Sequence, residues 1–81
     1  MTAKEMFEEL GFELNTDNEF VRSYRIKHDE NFSGEDPFNW DYINFYIKDK
    51  TYNVDIMIGD VDIKLHKAIH QQLKELGWLD D

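Results

Sequence analysis

The chain has 81 residues, enough for one small domain over 1–81 with a modest core, and its two Trp, four Tyr and six Phe supply the bulk that so short a chain needs. It has no cysteine, which excludes disulfide stapling and Cys-based zinc or redox chemistry. Its 18 acidic side chains against 9 basic ones leave a net charge of −9, which repels phosphate backbones and anionic membranes and argues against direct nucleic-acid binding.

No apolar run approaches the roughly 18 residues of a membrane span. The start, MTAKEMFEEL, lacks the basic-then-apolar layout of a signal segment. The expectation is a soluble, unprocessed, cytoplasmic protein.

Thr2-Ala3-Lys4-Glu5 has the form of a capping box and opens a helix with Met6, Phe7 and Leu10 as its apolar stripe. Gly11 stops it in the left-handed conformation, and Phe12 is expected to fold back onto Phe7, as in a Schellman ending. Asn15-Thr16-Asp17-Asn18 reads as a turn, and Phe20–His28 as a first strand with Phe20, Tyr24 and Ile26 on one side. Arg22 interrupts that side, so the strand is placed at an edge or half-buried. Asp29–Asn39 holds the only proline and reads as the longest loop, where binding determinants concentrate.

Trp40–Ile58 reads as a hairpin with Asp49-Lys50 at its tip. That turn sets Ile47 opposite Tyr52, Phe45 opposite Val54 and Ile43 opposite Ile56 on one sticky face. The other face pairs Tyr46 with Asn53, Asn44 with Asp55 and Tyr42 with Met57, a mixed surface. Asp62 is the N-cap of a last helix running to about Leu76, with Leu65, Ala68, Ile69, Leu73 and Leu76 buried. Gly77 repeats the role of Gly11, with Trp78 expected to sit on Leu73.

The order is therefore α-β-β-β-α, an α+β fold in which a three-stranded antiparallel meander is covered by two helices. The C-terminal helix is the natural lid of the face carrying Ile43 and Phe45. The first helix either shares that face or lies across Tyr42, Tyr46 and Met57.

Catalytic chemistry is poorly supported. Ser23 and Ser33 lie in no nucleophile elbow, and acid pairs such as Glu35/Asp36 and Asp60/Asp62 arise by chance in so acidic a chain. His66 and His70 share one side of the last helix at i, i+4, yet no third ligand and no glutamate base accompany them, so no metal site is assigned. No phosphate loop or dinucleotide fingerprint is present, and no cofactor is implied. The chain reads as non-catalytic.

Two surfaces are left as candidates for binding a protein partner. Asp29, Glu30, Glu35, Asp36 and Asp41 gather around the long loop. Trp40, Tyr42, Tyr46, Asp55 and Met57 belong to the second hairpin face. Carboxylates spaced on a rigid scaffold can imitate a run of phosphates and occupy the basic groove of a nucleic-acid-binding protein. The charges are nonetheless spread over the whole chain, which favours an ordinary solvated surface. From a different class comes an accessory or structural module that self-associates, as a homodimer, through Trp40, Tyr42, Tyr46 and Met57.

The ends of the chain carry one resemblance. Ala3-Lys4-Glu5-Met6-Phe7-Glu8-Glu9-Leu10-Gly11-Phe12 and Lys67-Ala68-Ile69-His70-Gln71-Gln72-Leu73-Lys74-Glu75-Leu76-Gly77-Trp78 resemble the termini of small, mostly uncharacterised proteins of phages and integrated elements of low-GC Gram-positive bacteria. The resemblance implies no activity or cofactor. It implies a context in which small acidic inhibitors of host machinery, anti-CRISPR proteins among them, are common.

Overall fold

The computed structural model describes residues 1–27, 39–56 and 60–79. Their order is α1 (Ala3–Glu9), β1 (Glu13–Asp17), β2 (Val21–Lys27), β3 (Trp40–Tyr46), β4 (Thr51–Asp55) and α2 (Ile63–Glu75). Four strands, in the order β1-β2-β3-β4 and antiparallel throughout, make one sheet.

Both helices begin and end as their sequences dictate. Thr2 accepts from the Glu5 amide while Glu5 accepts from the Thr2 amide, completing the capping box. The Asp62 side chain accepts from the Leu65 amide at the start of α2. Gly11 (φ 96°) and Gly77 (φ 75°) close the helices. Phe12 and Trp78 donate to the carbonyls of Phe7 and Leu73, and the glycines to those of Glu8 and Lys74, the bonding of two Schellman endings. Phe12 folds back as expected, with its ring 5.7 Å from that of Phe7.

The strand count corrects the three-stranded expectation. Glu13–Asp17 forms an edge strand on β2, although its Asn and Asp content suggests a turn. Pairing across the sheet overrides weak local propensity here, and a bulge between Leu14 and Thr16 absorbs the misfit. The turn itself lies further on: Asn18 Oδ1 accepts from the amides of Phe20 and Val21. Phe20 therefore falls in the turn, 53% exposed, instead of on the core side of a strand. β2 becomes an inner strand, not an edge.

The hairpin register is also corrected. Ile47–Lys50 forms a four-residue connection, so Phe45 faces Tyr52, Ile43 faces Val54, Asn44 faces Asn53 and Tyr42 faces Asp55. Ile47 lies outside the β3–β4 ladder with its amide on the Phe20 carbonyl (2.9 Å), and Lys50, whose amide donates to the Tyr46 carbonyl (3.0 Å), takes the left-handed conformation (φ 55°) to close the loop. A shift of two residues keeps every side chain on its expected face. The paired strand ends at Asp55, and Ile58 lies outside the described residues.

Both helices lie on the same face of the sheet. Phe7 of α1 stacks on Tyr24 of β2 at 4.1 Å and meets Phe45 of β3 edge-on. From α2, Gln72 accepts from the Tyr24 hydroxyl, and Trp78 beyond its end lies 6.4 Å from Phe45. The helices run antiparallel: Glu75 accepts from the Ala3 amide at one end, while Leu10 lies beside Lys64 and Lys67 at the other. Phe7, Tyr24, Ile43 and Phe45 are fully buried between the layers with Ala3, Phe12, Leu65, Ala68 and Ile69. Each large side chain so buried contributes about 1.5–3 kcal/mol.

Candidate functional site

With α1 and α2 on one side, no helix among the described residues covers the opposite face of the sheet. Strand alternation decides what it displays. Ile43 and Phe45 turn inward, so Trp40, Tyr42, Asn44 and Tyr46 of β3 turn outward. Tyr24 and Ile26 turn inward on β2, so Ser23, Arg25 and Lys27 join them. Asn53 and Asp55 complete the face from β4.

Its centre is hydrogen-bonded side to side. Ser23 Oγ donates to Asn44 Oδ1 at 2.8 Å, and Asn44 Nδ2 donates to Asn53 Oδ1 at 3.2 Å, a polar row crossing three strands. Beside that row lies an aromatic and cationic cluster. The Arg25 guanidinium stands 3.9 Å from the Trp40 ring centroid while its Nε donates to Glu13 Oε1 at 2.9 Å, and Lys27 Nζ is 5.5 Å from the same ring. A stacked guanidinium is held in orientation as well as attracted, whereas the exposed ion pair adds only about 0–1 kcal/mol. Trp40 Nε1 is buried without an acceptor among the described residues. Tyr46 is 40% exposed, and Tyr42 is half-buried opposite Asp55.

Trp40, Tyr42, Tyr46 and Asp55 thus share one surface, as expected of them. The pairing within it differs: Asp55 faces Tyr42, not Asn44, and Tyr46 faces Thr51, not Asn53. Asp41 does not belong to the loop; it lies in β3 opposite Ile26, on the helix side of the alternation. Asp29, Glu30, Glu35, Asp36 and Met57 lie outside the described residues.

Sequence reasoning missed Glu13 as a member of this face and the contact of Arg25 with Trp40. The alternation of β2 was enough to place Arg25 opposite Tyr24. Its stacking on Trp40 required the β2–β3 register, which a long intervening loop conceals. Glu13 required the unexpected β1.

Elsewhere the chemistry is sparse. The His66 and His70 rings lie parallel at 6.5 Å on the exposed side of α2, and no group of three or more metal-ligating side chains occurs among the described residues. Clefts on the helix side among the described residues include one of about 280 Å³ between Met6, Leu10, Lys64 and Lys67 and one of about 370 Å³ between Leu10, Phe12, Val61 and Leu65. Among the described residues two groups titrate away from their ordinary range, and neither is on the open face. Thr2, by its amide and its hydroxyl, holds the Glu5 carboxyl low, and burial pushes the Tyr24 phenol up. No helix among the described residues is long and apolar enough to cross a membrane. No protein-family model, curated protein or solved structure matches the chain.

Proposed function

We propose that this chain is a non-catalytic binding protein that docks on a protein partner through the sheet face that neither α1 nor α2 covers, and that the partner carries a basic surface. The observation behind this reading is the crowding of both helices onto one face, which leaves Trp40, Tyr42 and Tyr46 uncovered by either. Trp and Tyr are the side chains on which binding energy concentrates. Arg25, fixed between Glu13 and Trp40, loses little further freedom on binding.

Charge and docking are divided between different parts of the molecule. On the face itself Glu13 and Asp55 offset Arg25 and Lys27, so the acidic surplus lies off it, on Glu5, Glu8 and Glu9 of α1 among others. The surplus steers a basic partner inward, and the near-neutral aromatic face holds it. The same lack of basic excess speaks against phosphate backbones as ligands. An inhibitor of a basic nucleic-acid-binding protein is the specific form of this reading that the resemblance of the chain ends favours.

Affinity capture from a host lysate, followed by binding kinetics on the captured protein, tests it. Trp40→Ala and Tyr42→Ala should each raise the dissociation rate by about tenfold or more. Added salt should lower the association rate and leave dissociation nearly unchanged. A partner released no faster by either substitution would remove the sheet face from the interface.

A further inference from the structure

The two edges of the sheet are built differently. β1 bears Glu13 and Asp17 and is bent by its bulge, features that discourage further pairing. β4 has no bulge, one charge in Asp55, and no strand on its outer side among the described residues. Which of its main-chain groups face outward follows from the ladder. The bond from the Ile47 amide to the Phe20 carbonyl makes these two a hydrogen-bonded pair, so alternate β3 residues from Ile47 bond to β2 and the others bond to β4. Thr51, Asn53 and Asp55 therefore bond to β3, and Tyr52 and Val54 present their N–H and C=O groups at the open edge.

We propose that β4 is the pairing edge of a symmetric dimer, with β4 of a second copy running antiparallel to it about a two-fold axis at Asn53. In this register Tyr52 of each copy stands opposite Val54 of the other, and their outward main-chain groups close two pairs of hydrogen bonds. Tyr52, 47% exposed in the single chain, gains an aromatic contact with a β-branched neighbour. Asp55 stands opposite Thr51, whereas a slide of two residues toward the turn would set it against Asp49.

The polar row on the open face supports the same axis. It runs from Ser23 through Asn44 to Asn53 and ends there, with no partner for Asn53 Nδ2 among the described residues. Asn53 of a second copy supplies one, since an amide oxygen accepts twice. The row then continues across both sheets, and the two open faces lie side by side. Each copy carries a net charge of −9, so salt strengthens this dimer, the reverse of its effect on a basic partner.

Cross-linking tests the axis directly, because the native chain has no cysteine. Asn53→Cys sets two thiols at a pair whose Cα atoms are about 4.5 Å apart, within disulfide reach. Mild oxidation should convert most of this variant to a covalent dimer, while Thr51→Cys, which faces Asp55 and not itself, should form almost none. Sedimentation of the native chain should show a dimer that grows with protein concentration and with salt. Val54→Pro removes an outward N–H without touching the β3 ladder and should return the chain to monomer. Asn53→Asp, which opposes two carboxylates at the axis, should do the same and stands in if the proline variant fails to fold. A chain monomeric at every concentration and salt, equal cross-linking of the two cysteine variants, or a dimer lost on Tyr42→Ala but kept in Asn53→Asp would overturn the proposal.

Discussion

The Tyr24 hydroxyl donates to Gln72 Oε1 at 2.6 Å, inside the core, and this bond joins the second strand to the last helix. Gln72 is fully buried and its Nε2 has no partner among the described residues, so this is the one hydrogen bond its amide makes among them. Arg22 Nε donates to the same hydroxyl at 3.2 Å from the rim. Tyr24→Phe strands the whole Gln72 amide in an apolar layer and should cost about 1–3 kcal/mol in urea unfolding. Tyr24→Phe with Gln72→Leu should recover most of that loss, because no buried polar group is then left unpaired. A double variant no more stable than Tyr24→Phe alone would show that the bond matters less than the ring packing.

The same tyrosine makes the fold sensitive to alkali. Burial raises its phenol above the ordinary 10.0, with the Arg22 cation pulling the other way. In the folded chain the proton is held more tightly than in the unfolded one. Its contribution is fully present below pH 10 and is lost as pH rises through the folded value. Stability followed by denaturant midpoint from pH 9 upward should fall more steeply for the native chain than for Tyr24→Phe. Parallel curves would place the titration elsewhere.

Gly11 and Gly77 end their helices in the same way but differ in what surrounds them. A methyl group at Gly77 meets nothing within 4 Å, whereas one at Gly11 comes within 3.1 Å of Ile26 Cδ1. Gly77→Ala should cost about 1 kcal/mol from the left-handed backbone alone. Gly11→Ala should cost about 1 kcal/mol more, since Ile26 must shift within a packed layer. Equal thermal midpoints for the two variants would mean that Ile26 moves freely.

The elements whose signals are local could be read directly from the residues. The capping box at Thr2 and Glu5, the Asp62 cap, the two Schellman glycines and the inward set Ile43, Phe45 and Val54 all follow from spacing and side-chain chemistry within a few positions. Trp40, Tyr42 and Tyr46 could be assigned to one face for the same reason, since period-two alternation within a strand needs no partner, and Asp55 joined them because a register shift of two residues keeps its face.

What tertiary structure alone decided depends on contacts between distant residues. β1 exists because β2 pairs with it, against the turn preference of its Asn and Asp. Ile47 is tied to the preceding turn, its amide donating to the Phe20 carbonyl. Arg25 meets Trp40 only through the β2–β3 register. Above all, α1 joins α2 on one face because Phe7 stacks on Tyr24 and Glu75 caps Ala3, and no local pattern encodes that choice. That choice leaves the other face uncovered by either helix, so the candidate binding surface is a product of packing, although its residues were visible in the chain.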